Sequence, residues 1–198
     1  MNSIKKWLPL LIIGVIVLWG YSTFKGFNNT AVVYQEDAKT SWSNVESSYQ
    51  RRADLIPNLV NTVKGYAAHE SETLEAVIKA RSEATSTKID ANNLTPEKMA
   101  EFQKAQQGLS GALGRLMVIA EKYPDLKANT NFLELQSQLE GTENRINVER
   151  NRFNGMVNVY NKHIKTFPNS IFAGWFNFEE MSRYKSAEGS EKAPEVKF

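Results

Sequence analysis

Three features of this sequence predict an all-α fold: an N-terminal transmembrane helix followed by an up-and-down four-helix bundle of long antiparallel helices. An uncharged, mostly apolar run fills residues 7–24. Beyond it, apolar side chains recur three and four apart, the period of a helix with one buried face. Glycine and proline number only 11 and 6 among 198 residues, too few for a turn-rich β fold.

The totals narrow the chemistry. There are 24 basic and 22 acidic residues, a net charge of +2, and no basic stripe. Nucleic acid is therefore not an expected partner. The chain has no cysteine, which excludes disulfides, thiol catalysis, thiolate zinc sites and lipoprotein acylation. Its two histidines, His69 and His163, lie far apart in sequence.

Residues 1–6 form a short flank carrying Lys5 and Lys6. Residues 7–24, from Trp7 through Leu18 to Phe24, are long enough for a slightly short membrane span. Trp7, Trp19 and Tyr21 sit towards its ends, where aromatic side chains favour the membrane interface. A cleaved signal peptide is the competing reading. Gly20-Tyr21-Ser22 is followed by Thr23, Phe24 and Lys25, which offers no good small-x-small cleavage site. The expectation is an uncleaved, single-pass anchor. The compact basic N-terminus favours an inner N-terminus, with the domain on the outer side.

The bundle domain is expected over 29–178. Its first helix carries Ala38, Trp42, Val45, Tyr49, Arg52, Ile56, Leu59, Val63 and Tyr66, a heptad-like seam with one charged intruder, Arg52. Gly65 weakens that helix, and Ser71 is the expected N-cap of a second helix reaching about Lys88. Thr95-Pro96-Glu97 marks the start of the third: a capping hydroxyl, a proline where no N–H is needed, and an acid at the positive end. That helix carries Met99, Phe102, Gln106, Leu109, Leu113, Leu116 and Ala120 and ends at Tyr123-Pro124. The fourth is capped by Asn129 or Asn131 and runs to Phe167-Pro168. Its seam also holds charges, Glu143 and Arg150. An aromatic segment, 171–178, follows. Residues 185–198 are small, charged and proline-containing, and are expected to be disordered.

At about 1.5 Å per residue the four helices are roughly 54, 27, 40 and 57 Å long. Up, down, up and down, they bring the aromatic segment back to the membrane-proximal end. Phe172, Trp175, Phe176 and Phe178 would there cap the core or lie on the bilayer surface. With helices one and four antiparallel, residues at equal height have numbers summing to about 197, from the same rise. Arg52 then faces the neighbourhood of Arg145 and Asp54 faces Glu143, with Arg150 about two turns further along the same helix. A structural polar layer is expected, pairing Arg52 with Glu143 and Asp54 with Arg150, and fixing register. Pro57 removes a backbone bond to Ala53 and either kinks helix one or starts a new helix.

Catalytic patterns are weak. Glu140 and Glu143 share a helical face, and Glu70 and Glu72 flank a helix boundary, but capping and solvation account for them. Neither histidine follows a glutamate by three residues, as a di-metal bundle site requires, and His69-Glu70 lacks the second histidine of a zincin motif. Gly108-Leu-Ser-Gly111-Ala-Leu-Gly114 sits in a helical stride without a preceding strand. It reads as a place for close helix approach rather than a phosphate loop. No catalytic, cofactor or metal residue is expected.

Arg51-Arg-Ala-Asp-Leu-Ile-Pro-Asn-Leu-Val60, Val63-Lys-Gly-Tyr-Ala67 and His69-Glu70 together resemble the bacterial LemA family. Tyr123-Pro-Asp-Leu-Lys-Ala128, Leu139-Glu-Gly-Thr-Glu-Asn-Arg-Ile146, Tyr160-Asn161 and Phe167-Pro168 extend the resemblance to about Phe178. It implies one N-terminal membrane helix, a helical bundle and no established enzymatic activity. One branch of that family is associated with magnetosome membranes, and no residue here points to that role. The resemblance also implies a short N-terminus outside, opposite to the charge reading, so sidedness in the bacterial inner membrane stays open. The function expected is a membrane-anchored scaffold or protein-interaction module, with the membrane and other proteins as partners. The alternatives are a hydrolase or metal enzyme with an inter-helix groove, and a membrane-organising homo-oligomer.

Overall fold

A computed structural model describes residues 2–185 of the chain. The expected disordered tail lies outside the described residues, except Lys185. The described residues form six helices: α1 (Asn2–Lys64), α2 (Ser71–Ser86), α3 (Pro96–Ala120), α4 (Pro124–Lys127), α5 (Thr130–Lys165) and α6 (Asn169–Trp175). Anchor and first bundle helix, expected as separate elements, are one uninterrupted helix. Nothing between Phe24 and Asn29 breaks it, because Gly26 alone costs only about 1 kcal/mol of helix propensity.

Several boundaries follow local chemistry. Thr95 is extended and its hydroxyl accepts the Lys98 N–H at 3.4 Å, with Pro96 next in line. Asn129, rather than Asn131, caps α5, its Oδ1 accepting from the Phe132 N–H at 3.0 Å. Ser71 is already helical; Glu70 holds the cap position without a side-chain bond. The turn at Tyr123-Pro124 carries a short extra helix, α4, which buries Leu126.

The chain divides into two compact units, Met1–Ala38 with Gly155–Met181, and Lys39–Asn154 with the segment from Ser182. In the larger unit, α2, α3 and segments of α1 and α5 supply one buried aliphatic cluster. Ile56, Leu59 and Val63 meet Leu74 and Val77, Leu109, Leu113 and Leu116, and Phe132 and Leu139. A second buried group centres on Trp42, whose ring stands edge-to-face with Phe102 at 5.4 Å and Phe153 at 5.2 Å.

α1 continues without a break through Pro57, so the reading in which proline starts a new helix is overturned. The missing N–H leaves the Ala53 carbonyl without its intrahelical donor. Arg81 of α2 replaces it: its Nε donates to the Ala53 oxygen at 2.7 Å. A cross-helix bond thus substitutes for the lost turn, and the proline side of the helix faces solvent.

The smaller unit has an aromatic interior. Phe27, Ala31, Tyr160, Ile164 and Ala173 are buried, flanked by Tyr34, Phe172, Phe176, Phe178 and Met181. α6 ends in a Schellman motif. Asn177 takes φ of 54°, the Asn177 N–H bonds the Gly174 carbonyl at 3.5 Å, and the Phe178 N–H bonds the Ala173 carbonyl at 3.0 Å. Asparagine tolerates this left-handed position better than most residues. The reversal folds Phe178 back onto the cluster beside Ala173.

Candidate functional site

Arg52 is buried, 3% exposed, and its guanidinium is the centre of a polar layer in the larger unit. Nη1 donates to Glu143 Oε2 at 2.8 Å and to Ser110 Oγ at 3.1 Å. Nη2 donates to Gln106 Oε1 at 3.0 Å. Gln106 in turn donates to the Ala84 carbonyl at 3.1 Å. One residue of α1 is thereby tied to α3 and α5, and through Gln106 to α2. The side chain of Glu143 is 45% exposed, so water screens the pair, and the buried hydrogen bonds carry much of the interaction.

Asp54 and Arg150 do not join this layer. Asp54 is exposed and accepts from Gln50 Nε2 at 2.7 Å, one turn away on its own helix. Arg150 is held elsewhere. Its guanidinium lies 5.2 Å from the Tyr49 ring centroid and 4.4 Å from that of Tyr184. Its Nε donates to the Tyr49 hydroxyl at 2.8 Å, and a second, short bond runs there from Nη2. Two π faces and a hydroxyl hold this half-buried cation in place of the exposed carboxylate. Asn154 fixes Tyr184 from below, bonding its backbone N–H and carbonyl at 2.8 and 2.9 Å. Burial pushes the Tyr184 phenol well above the usual tyrosine range, helped by the neighbouring Tyr49 hydroxyl. Tyr184 lies in the segment after α6 that the sequence left without a role. Gln106 is visible as a polar residue in an apolar stride, but its partners are not.

The paired carboxylates do not converge. Glu70 accepts from the Tyr123 hydroxyl at 3.1 Å, a bond that, with the negative charge, raises the Tyr123 phenol. Glu140 accepts from Gln136. His69 is exposed, and His163 stacks on Phe27 at 5.1 Å. Among the described residues no three His, Asp or Glu side chains are grouped to hold a metal ion. The glycines of α3 do not admit a close helix either. Gly108, Gly111 and Gly114 are exposed, and a Cβ on any of them would meet open space.

A polar groove in the larger unit, about 460 Å³, is lined by Asn44, Ser47, Ser48 and Arg51 of α1 and by Gln138, Thr142, Arg145 and Glu149 of α5. Glu149 is 8% exposed. Its Oε1 lies 3.6 Å from Arg145 Nη1, and its buried Oε2 has no hydrogen-bond partner. This groove is not evident from the sequence, because Glu149 falls beside the apolar stride and reads as a solvated position.

The sequence model of the LemA family matches residues 41–198. The chain belongs to the LemA family. Among its LemA-type relatives is Protein LemA of Metamycoplasma hominis, 24% identical over 94% of this chain and 85% of the relative. Magnetosome protein MamQ 2 of Paramagnetospirillum magneticum is 27% identical over 93% of this chain and 72% of its own length. Magnetosome protein MamQ of Magnetospirillum gryphiswaldense is 30% identical over 71% and 58%. The exposed apolar stretch of α1 fits this company. From Leu10 to Tyr21 its large apolar side chains are more than half exposed, with Trp19 at 71%. Its mean hydropathy reaches 1.7 over 18 residues. This LemA-family chain is a membrane-associated helical protein.

Proposed function

We propose that this chain is a membrane-tethered scaffold that binds other proteins through its larger helical unit, with that unit on the outer side of the inner membrane. The observation that carries the reading is the groove at Glu149. A buried carboxylate oxygen without a donor costs about 1–3 kcal/mol or more, and the screened contact with exposed Arg145 returns little of it. A partner's lysine or arginine seated there would supply the missing donor. Arg51 and Arg145 line the same groove, so the best-fitting segment carries one basic side chain flanked by acidic ones. The other charged side chains weighed as a site are already committed: Arg52 and Glu143 to the polar layer, Arg150 to two tyrosines, Glu70 to Tyr123.

A photo-crosslinking residue at exposed Gln138, in the full chain in native membranes, tests this. Discrete heterologous adducts that weaken with Glu149→Gln support it. Adducts only with a second copy of the chain would replace it with the homo-oligomer reading. No adducts, or adducts indifferent to Glu149→Gln, would defeat it. Sidedness is read separately with Val118→Cys, an exposed position in a chain that otherwise has no cysteine. Labelling of intact cells by an impermeant maleimide is expected, and labelling only after lysis would reverse the orientation.

A further inference from the structure

The sequence groups Phe172, Trp175, Phe176 and Phe178 as one membrane-proximal aromatic set. The structure divides them. Phe172, Phe176 and Phe178 turn inward onto Phe27 and bracket it at 5.6, 6.2 and 5.9 Å. Trp175 is 70% exposed, and so are two apolar residues outside that set, Ile171 at 48% and Phe167 at 82%. Ile171 and Trp175 are one turn apart on α6, and Phe167 lies in the turn just before it. At and just before α6, the smaller unit thus presents three large apolar side chains to solvent.

Their position in the unit says what covers them. Phe24 is the last residue of the uncharged run, immediately before Lys25. Its ring is 4.5 Å from Phe176, 5.9 Å from Phe172 and 6.4 Å from Trp175. α6 is therefore packed at the level where the apolar helix ends. A bilayer around the anchor has its interface at that height, and tryptophan is the side chain most favoured there. Lys25, and Lys162 and Lys165 in the last turn of α5, are exposed. Although Lys165 also pairs with Glu180 at 2.6 Å, these cations can reach the headgroup layer. A water-exposed patch of this kind would be an aggregation liability; the same patch in lipid is an anchor.

We infer that Phe167, Ile171 and Trp175 insert into the interface of the lipid bilayer that the apolar helix spans. They form a second, peripheral membrane contact that seats the smaller unit on the lipid surface. This goes beyond the scaffold reading and does not depend on the Glu149 groove.

Because the chain has no cysteine, single Phe167→Cys, Ile171→Cys and Trp175→Cys variants can each be spin-labelled in the full-length protein. The protein is reconstituted in phosphatidylcholine–phosphatidylglycerol vesicles. Collision with molecular oxygen, which concentrates in lipid, is compared with collision with a water-soluble nickel chelate. Leu18→Cys marks the span and Val118→Cys the aqueous reference. The expected result is oxygen-dominated collision at 167, 171 and 175, between the two references and several-fold above Val118. Nickel-dominated collision like that at Val118, with Leu18 still lipid-accessible, would overturn the inference while leaving the anchor standing. Low access to both reagents would also overturn it, because it would mean that protein covers the patch. All three sites are on the surface, so labelling there leaves the buried cluster intact. Native tryptophan emission of Phe27-containing, unlabelled protein in vesicles of brominated lipid gives a second reading: Trp175→Phe should reduce the quenched fraction, and an unchanged fraction counts against insertion.

Discussion

The larger and smaller units fill their interiors by different means. The larger has segments from four long helices available, and fills its interior with an aliphatic cluster, a polar layer at Arg52 and a separate ring group around Trp42. The smaller has two helix segments and the seven-residue α6, and fills its centre with rings. An aromatic side chain buries about 150–250 Å², so a small unit reaches a closed interior with few positions. The difference bears on specificity. Long aliphatic seams can slip by a turn at modest cost, and a polar layer that must find its partners penalises the slip. The smaller unit's rings, in tilted and edge-to-face contacts, constrain their own packing without such a layer.

The largest test of the contrast removes one ring from each unit. Trp42→Ala, at a fully buried position, should cost about 3–5 kcal/mol, read by denaturant unfolding of the detergent-solubilised chain. Phe27→Ala should register in the smaller unit as faster amide exchange across α6, since Phe27 packs against Phe172 of that helix and against Phe176 and Phe178 just after it. Unchanged exchange would show that rings are not what holds that unit.

Next is the polar layer. Arg52→Ala should destabilise by about 3 kcal/mol, the low end for a broken buried pair because Glu143 is half in water. Arg52→Met should cost clearly less, because it removes the buried charge while keeping the stem's packing. Equal losses would mean that packing, not the hydrogen-bonded charge, is what matters there.

A smaller effect isolates the proline. Arg81→Met should cost about 1–3 kcal/mol by orphaning the buried Ala53 carbonyl. Adding Pro57→Ala to that variant should recover part of the loss, since the new N–H can bond Ala53 within the helix. The two changes should be non-additive in a double-mutant cycle, and simple additivity would break the link.

The smallest effect is electrostatic. Burial raises the Glu46 carboxyl above its ordinary 4.5, partly offset by the Ile89 backbone and the nearby charge of Lys88. A raised folded-state pKa means stability that is complete below the unfolded value and lost as pH rises through the folded one. Glu46→Gln should therefore stabilise the chain slightly at pH 7, with the gain closing below about pH 4.5, as followed by thermal unfolding across pH.

Much of the helical layout is legible along the chain because its signals are local. Thr95-Pro96 starts α3 by capping chemistry available in three residues, and the uncharged run from Trp7 to Phe24 is defined by composition alone. Arg52 stands out because it interrupts an apolar stride. Gln106 interrupts its own stride as well, but that it and Ser110 meet Arg52 leaves no local trace, because the bonds cross 54 and 58 positions. By height and charge alone, Arg150 pairs with Asp54. The guanidinium instead took two tyrosine faces, one of them on Tyr184, beyond the last helix. The aromatic segment was legible in composition and not in orientation: which rings turn inward depends on the Asn177 reversal and on Phe24 and Phe27 from the other end of the chain.

By itself, then, the sequence determined the class of protein: long amphipathic helices behind an apolar anchor, in a family whose motifs it carries. Period, capping and hydropathy are properties of neighbouring residues, and they survive without a fold. Only the tertiary structure decided that Arg81 replaces the hydrogen bond Pro57 removes, that Glu149 is buried with an oxygen unmet, and that Phe167, Ile171 and Trp175 face outward beside the anchor. Each of these depends on which side chains compete for one place in space, and that competition is settled between segments distant along the chain.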